Sequence, residues 1–207
     1  MSTPTPIFPL NAVLFPDGIL SLRVFEARYM DMVRDCLKNE SQFGVCLIRK
    51  GREIGAIAEP EAIGCLARIT HWDMEQLGVL NIRVRGSQRF VIRNTGANEQ
   101  GLQHADIKLI APDATHPVAA HAAACVNLLR RIIGELEEKH REQNPAAEAD
   151  NLPIATPHQF NDAAWVANRL CEILQIPLKA KQKLMELEDG EVRLSLVQQY
   201  LKQHKVI

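Results

Sequence analysis

The sequence has few aromatic residues, no surplus of either charge and no long hydrophobic run. Aromatic side chains make up 5% of its 207 residues, and 24 lysines and arginines stand against 25 aspartates and glutamates. Proteins that coat a polyanion need an excess of basic residues, so a formal net charge of −1 excludes a general role of that kind. Charge or proline breaks every apolar stretch within roughly ten residues, well short of a membrane-spanning helix. We therefore expect no membrane crossing.

The sequence also lacks an export signal and any metal-binding motif. Its first residues have neither a basic start nor an apolar core, which predicts a cytoplasmic protein. The cysteines are odd in number, contain no CxxC pair and mostly lie among apolar residues, as is typical of reduced thiols in a core. These cysteines are Cys36, Cys46, Cys65, Cys125 and Cys171. The seven histidines form no zinc-type spacing, so we predict no metal and no cofactor.

Residues 1–112 carry short apolar runs, several of which alternate as β-strands do. These runs are residues 20–24, 43–48, 63–72, 80–85, 89–93 and 105–109. Glycines lie between them, where a positive φ or a tight reversal is expected. The glycines are Gly51, Gly55, Gly78, Gly86, Gly96 and Gly101. Short strands separated by turns predict a barrel or a sandwich rather than a parallel sheet.

Helical periodicity occurs once in this first part and throughout the second. Residues 25–38 place Tyr29, Met32 and Cys36 on one stripe, which predicts a helix that closes one side of the barrel. After residue 113 the period becomes 3.6, with a long helix over 122–136, a proline-containing loop over 142–160 and three further helices. The sequence thus predicts an α+β chain, with a β-rich subdomain at 1–112 and an α-helical bundle at 113–207.

The common catalytic motifs are absent. The sequence has no phosphate-binding glycine loop, no dinucleotide fingerprint and no serine nucleophile elbow. His121 and Cys125 lie four residues apart on a predicted helix, but Cys125 belongs to the apolar stripe. We predict no catalytic residue and no enzymatic activity.

Arginines cluster on neighbouring predicted strands. They are Arg68, Arg83, Arg85, Arg89 and Arg93. Residues two apart on a strand share a face, so several guanidinium groups are expected on one side of the sheet. Such a face favours RNA binding if Trp72 or Phe90 offers a stacking platform. The alternative is an exposed strand face that the arginines keep soluble.

The opening of the sequence resembles a known family. It reads Ile7-Phe8-Pro9-Leu10, then Val13-Leu14-Phe15-Pro16-Asp17-Gly18, then Val24-Phe25-Glu26-Ala27-Arg28-Tyr29. This is similar to the start of the Lon protease N-terminal domain, with Asp17 inserted before the glycine and Ala27 in place of the usual proline. The resemblance continues in Ile63-Gly64-Cys65-Leu66-Ala67-Arg68-Ile69 and in Gly86-Ser87-Gln88-Arg89-Phe90, and returns in residues 178–186 and at Arg193-Leu194. It covers most of the chain.

The resemblance implies a PUA-like pseudo-barrel followed by a helical bundle. In full-length Lon proteases this domain precedes an ATPase module and a peptidase domain, and it helps to engage protein substrates. The present sequence ends at Ile207 with neither module, so the resemblance implies a protein that binds without cutting.

Two functions from different classes follow as hypotheses. The first is recognition of unfolded proteins or of a partner protein at a groove between barrel and bundle. Trp72 lies beside the turn-like residues 73–78, so we expect it to be partly exposed and to act as an anchor. The residues assigned to the rim of this groove are Phe25, Glu26, Arg28, Tyr29, His71 and Trp72. Within that set, residues 25–29 are also read as a structural junction between strand and helix. The second hypothesis is RNA binding through the arginines.

Overall fold

The structure is a computed structural model that describes residues 4–143, 152 and 154–207. Contacts within the chain divide it into two compact units, with the boundary in the sequence between Pro112 and Asp113. The first unit is rich in strands and the second is helical.

The first unit is built on a seven-stranded sheet. Its strands are β1 (Thr5–Leu10), β2 (Ile19–Val24), β3 (Phe43–Lys50), β4 (Glu59–Pro60), β5 (Ile63–Gln76), β6 (Val79–Ala97) and β7 (Gln103–Leu109). They pair in the order β1-β7-β6-β5-β3, and a parallel pairing of β3 with β1 closes this path into a ring. The other pairings are antiparallel, with β2 added to β6 and β4 added to β3. The closed ring favours the barrel of the two predicted arrangements.

Strand β1 was not predicted, because it contains two prolines. Strand interiors normally exclude proline, which lacks the N–H that a ladder needs. Here β1 pairs with β7 over Thr5–Ile7 and with β3 over Ile7–Leu10, so each part of the strand is paired mainly on one side. Pro6 and Pro9 each lie in a part with only one paired neighbour. The missing N–H groups are tolerated for this reason.

Strand β6 corrects the expectation that Gly86 ends one strand and begins another. The strand runs through Gly86 without interruption, and its φ is not positive. A Cβ at this position would lie 2.1 Å from the carbonyl oxygen of Phe15. The amide of Gly86 donates to the carbonyl of Gly18 at 2.8 Å, and its carbonyl accepts from the amide of Asp17 at 2.9 Å. Glycine is needed here for the close approach of residues 15–18, not for a turn.

The hairpin between β5 and β6 is longer than predicted. Residues 73–78 were expected to form a turn, but β5 continues to Gln76 and pairs with β6 up to Val79. The turn therefore consists of Leu77 and Gly78 alone, with Gly78 at a φ of +82°. Positive φ is also found at Gly51, Gly55 and Gly101, as expected, but not at Gly96.

Helix α1 (Ala27–Lys38) covers one face of the sheet. It begins two residues later than predicted, because Glu26 has extended backbone angles and forms the N-cap position. Its buried stripe belongs to the main hydrophobic cluster, which contains Tyr29, Met32, Val33 and Cys36 together with inward residues of the strands. The prediction that this stripe packs on the strands is confirmed.

The second unit contains the predicted helices. After a short 3₁₀ turn (Ala120–Ala122) come α2 (Ala123–Gln143), α3 (Ala163–Ile173), α4 (Leu178–Glu186) and α5 (Gly190–Gln203). Asp162 caps α3 by accepting from the amide of Ala164 at 3.1 Å, and Asp189 caps α5 by accepting from the amide of Glu191 at 2.8 Å. Nine of the 19 residues of the predicted loop over 142–160, residues 144–151 and 153, lie outside the described residues.

A buried arginine ties the second unit together. Arg193 of α5 is fully buried and its Nη1 donates to Asp113 at 2.7 Å and to Asn168 at 3.0 Å. Its Nε donates to the carbonyl of Leu184 at 2.8 Å, and its Nη2 to that of Leu187. Carbonyl groups at the C-terminal end of a helix have no amide partner within the helix, and the Arg193 guanidinium donates to two of them at the end of α4. These charge-assisted hydrogen bonds stabilise the turn between α4 and α5.

In the part of the chain that the structure describes, no helix has the length and hydrophobicity that a bilayer crossing requires.

Candidate functional site

The junction between β2 and α1 is held by Arg28. This side chain is 9% exposed, and its Nη2 lies 2.9 Å from a carboxylate oxygen of Glu26 and 3.0 Å from the carbonyl oxygen of Gly55. Its Nη1 donates to the carbonyl of Gly101 at 3.2 Å. The guanidinium therefore connects the start of α1 to two loops that are distant in sequence. Its charge is neutralised by Glu26, which fits a structural clamp better than an open binding group.

Tyr29 is also committed to the interior. Its ring stacks on Phe8 with centroids 4.0 Å apart, and the Arg28 guanidinium lies 4.7 Å from the Tyr29 centroid. Burial raises the pKa of the Tyr29 phenol, the Arg28 charge partly offsetting this. Of the predicted rim residues at this junction, only Phe25 is well exposed, at 49%.

Exposed apolar side chains gather at the hairpin of β5 and β6. Trp72 is 59% exposed, Met74 43% and Leu77 95%. Phe25 is exposed at the same end of the sheet, because it follows Val24, which pairs with Leu80 near the start of β6. We call Phe25, Trp72, Met74 and Leu77 the tip patch. Phe25 and Trp72 are two strand spacings apart across the sheet and three residues apart along it. Their backbones therefore lie roughly 14 Å from each other.

Sequence reasoning found two members of the tip patch and missed two. Phe25 and Trp72 were predicted, but Met74 and Leu77 lie in the segment expected to be a turn. The signal was present, since Trp72 and Met74 are two residues apart, as side chains on one strand face are.

His71 and Trp72 lie on opposite faces of β5. His71 is directly opposite Arg83, and Trp72 is directly opposite the buried Ile82. Directly paired residues share a face, so His71 belongs with the arginines and Trp72 with the apolar inner face. The Nδ1 atom of His71 is buried and has no hydrogen-bond partner among the described residues.

The predicted arginine face is only partly formed. Arg68 pairs directly with Arg85. Arg83 lies two residues before Arg85 on β6 and therefore on the same face. Arg85 makes an ion pair with Asp17 at 2.6 Å, which removes part of the positive charge. Burial lowers the pKa of Arg83. Arg93 is exposed further along β6.

Two members of the proposed RNA site are in the wrong place for it. Arg89 is 2% exposed and Phe90 is fully buried, so neither reaches a phosphate or a base. Trp72 lies on the face away from Arg83 and Arg85. The stacking platform and the positive charges therefore do not share one surface, which the RNA hypothesis requires.

The cysteines are free and buried, as predicted. Burial is the main cause of a raised pKa at Cys36, Cys46, Cys125 and Cys171, and it takes that of Cys171 to about 12. Thiols of this kind are poor nucleophiles. Within residues 4–143, 152 and 154–207, no three His, Cys, Asp or Glu side chains are grouped as metal ligands.

A surface pocket of about 410 Å³ lies beside the hairpin, between the end of α1 and the middle of β5. Its lining residues are Cys36, Leu37, Glu40, Ser41, Arg68 and Ile69. Both charged and apolar groups line it, and its volume is large enough for a side chain with an apolar body.

Residues 4–203 match the family model described as the ATP-dependent protease La (LON) substrate-binding domain. Lon protease of Anaeromyxobacter dehalogenans (strain 2CP-C) is 26% identical over 206 residues, which are 98% of this chain and 23% of that protein. Lon protease 2 of Myxococcus xanthus is 26% identical over 206 residues, 98% of this chain and 24% of that protein. The chain thus spans about a quarter of the length of these curated relatives.

Two solved structures are similar over almost the whole chain. The Lon N-terminal domain protein from Xanthomonas campestris has a TM-score of 0.75 and 30% identity, covering 96% of this chain and 99% of that one. The N-terminal domain of Mycobacterium avium complex Lon protease has a TM-score of 0.63 and 12% identity, covering 98% of this chain and 100% of that one. The second likeness concerns the fold alone.

Proposed function

The chain belongs to the Lon protease substrate-binding domain family, and we propose from this membership that it is a non-catalytic module that binds exposed apolar segments of other proteins. The observation that carries the proposal is the family match over residues 4–203. The family description names substrate binding, and the match covers only the part of the Lon proteases that corresponds to this domain. The proposed activity is therefore recognition without bond cleavage.

The tip patch supplies the surface for this recognition. Unfolded proteins expose apolar side chains that folded proteins bury, and a protein that distinguishes the two states needs exposed apolar groups of its own. Trp72 is the anchor, because a large aromatic side chain contributes most of the affinity at many protein interfaces. Phe25 adjoins it. Glu26, Arg28 and Tyr29 position Phe25 by fixing the start of α1, and His71 borders the patch from the other face of β5.

The family membership also supports a finer description of the fold and the compartment. In this proposal the closed ring of strands is a PUA-like pseudo-barrel and the second unit is a helical bundle. The protein acts in the cytoplasm, where buried free cysteines remain reduced.

A titration tests the proposal. A reduced and carboxymethylated protein that cannot refold is titrated into the pure chain, with the native form of the same protein as the reference. We expect saturable binding of the unfolded form below about millimolar and none of the native form. Absence of saturable binding would refute the proposal.

The tip patch is tested with Leu77→Ser, compared with Leu196→Ser. Leu77 is 95% exposed and Leu196 of α5 is 44% exposed, so neither change disturbs a core. We expect the first variant to bind the unfolded protein several-fold more weakly and the second to bind it normally. Equal affinities would place the binding surface elsewhere.

The non-catalytic part of the proposal has its own measurement. The pure chain, incubated with the unfolded protein with and without ATP, is expected to leave it intact on a denaturing gel. Cleavage or ATP hydrolysis by the chain alone would contradict the proposal. Capture of RNA from a lysate, lost after nuclease treatment, would favour the arginine hypothesis instead.

A further inference from the structure

One edge of β5 has no strand beside it. On one side β5 pairs with β6 along its length, but on the other side β3 pairs only with Cys65, Leu66 and Ala67. The backbone from residue 68 to residue 76 has no strand partner on that side within the described part of the chain. We call this stretch the β5 edge. Its outward N–H and C=O groups form a row to which another extended backbone can bond.

Of the features that usually block such pairing, the β5 edge lacks proline, lysine and shortness, but it carries the charged residues Arg68, Asp73 and Glu75 and two register shifts. Exposed edges of natural sheets are commonly protected by proline, by charged side chains and above all lysine, by β-bulges or by shortness. The edge strand β4 is two residues long and ends in Pro60, and the free end of β7 carries Lys108. Residues 68–76 contain neither proline nor lysine. The edge is thus open to an added strand.

A register shift gives the β5 edge a continuous apolar face. Ile69 pairs with Val84 and Trp72 pairs with Ile82, with the shift between them at Thr70. Without the extra residue, side chains three apart would lie on opposite faces of the strand. Because of the shift, Ile69 and Trp72 both lie on the apolar inner face. An added strand would place its apolar side chains next to them.

The 410 Å³ pocket lies at one end of the β5 edge. Arg68 and Ile69 line it from β5, Leu37 lines it from the end of α1, and Ser41 lines it from the loop after that helix. β3 begins at Phe43, opposite Ala67, so the pocket lies where the line of β3 would continue past its first residue. A strand added along the β5 edge would occupy that line. One of its apolar side chains would enter the pocket and set the register.

We propose that an extended segment of an unfolded polypeptide binds as an added strand along the β5 edge, with one large apolar side chain in the pocket and the following ones against Trp72. This inference rests on the proposed function and specifies how the substrate is bound. Backbone hydrogen bonds provide affinity without regard to sequence, whereas the pocket selects for one apolar residue. The recognised feature is therefore an unpaired backbone with an apolar side chain, which unfolded proteins share.

The test uses N-methylated peptides on the unmodified protein. A ten-residue peptide carries one leucine among serine, threonine and alanine, so that the leucine fixes the register. In one version the amides at even positions are N-methylated, and in the other the amides at odd positions. Alternate amides of a strand point to the same side, so only one version loses its bonds to the β5 edge. We expect that version to bind at least tenfold more weakly, and the other to bind within a few-fold of the parent.

The outcomes separate this inference from the proposed function. If the unfolded protein and the parent peptide bind but both methylated versions bind equally well, strand addition is wrong and the proposed function stands. If neither the unfolded protein nor the parent peptide binds, the proposed function fails and this inference fails with it.

Amide hydrogen exchange locates the added strand. With the parent peptide bound, we expect slower exchange at amides of the β5 edge and no change along β2 (Ile19–Val24), the strand on the other side of β6. Protection along β2 instead, or nowhere, would overturn the assignment. Protection of the β5 edge that appears without peptide and grows with protein concentration would identify a second copy as its partner, and would also overturn it.

Discussion

At the scale of single residues, Arg28 has the largest structural consequence at the candidate site. Replacing it with alanine leaves the Glu26 carboxylate and the carbonyls of Gly55 and Gly101 without their donor. Loss of a mostly buried charged donor of this kind costs about 2–4 kcal/mol. We expect Arg28→Ala to lower the free energy of unfolding in urea by that amount.

The control for Arg28 is Arg34→Ala on the same helix. Arg34 is 72% exposed and pairs with Asp31 at 2.8 Å, a surface ion pair worth less than about 1 kcal/mol. If the two variants unfold at the same urea concentration, Arg28 is not a clamp.

Because of its buried thiols, the protein is expected to lose free energy of unfolding as the pH rises in the alkaline range. Burial raises the pKa of Cys171 from 9.0 to about 12. Below the lower value the thiol is protonated in both states and has no effect. Between the two values the unfolded chain gives up a proton that the folded chain keeps, so the free energy of unfolding falls as the pH rises. We expect this fall in denaturant titrations between pH 8 and pH 11.

The contribution of Cys171 appears as a difference between two proteins. Cys171→Ala has no thiol to titrate, so its free energy of unfolding should decline less steeply over the same range. Parallel pH dependences of the two proteins would show that this thiol titrates alike in the folded and unfolded chains.

At the scale of elements, two helical glycines are predicted to respond oppositely to alanine. A Cβ at Gly190, the first residue of α5, would lie 2.4 Å from the Cβ of Ala164 on α3. A Cβ at Gly134 of α2 meets nothing within 4 Å. We expect Gly190→Ala to destabilise the protein by about 1–3 kcal/mol through overpacking, and Gly134→Ala to stabilise it by about 0.5–1 kcal/mol.

Thermal unfolding checks this pair, with the parent chain as reference. A higher melting temperature for Gly190→Ala than for the parent would contradict the close packing of α3 on α5.

The elements also show which parts of the fold are encoded locally. The starts of α3 and α5 were predictable, because Asp162 and Asp189 are N-cap residues that accept from amides no more than three positions along the chain. The continuity of β6 was not predictable, because Gly86 serves a contact with Phe15 that is distant in sequence. β1 was missed for a similar reason, since its prolines are acceptable only beside the partners that β1 has.

The candidate site divides in the same way. The exposure of Trp72 followed from the polar, turn-like residues after it, and the resemblance supplied the family. The separation of His71 from Trp72, and the burial of Arg89, depend on register and ring closure, which no local pattern encodes. The β5 edge is likewise visible only once the extent of β3 is known.

At the scale of the whole molecule, the first unit is a closed ring of strands whose long hairpin carries both the tip patch and a strand edge with no partner among the described residues. In the function proposed above, the patch would select unfolded chains by their side chains, and the edge would select them by their unpaired backbone. A folded protein would bind to neither feature, because its apolar side chains are buried and its strands are already paired. Substrate recognition of this kind needs an apolar side chain on an unpaired backbone, but no particular sequence around it.

The most direct measurement of this claim is the fluorescence of Trp72. The chain has two tryptophans, of which Trp165 is 4% exposed and Trp72 is 59% exposed, so changes in emission report mainly on Trp72. An unfolded, tryptophan-free protein is titrated into the chain, with acrylamide quenching measured at each point. The account predicts a saturable blue shift and loss of quenching, both absent with the folded form. Saturable binding that leaves Trp72 emission and quenching unchanged would contradict it.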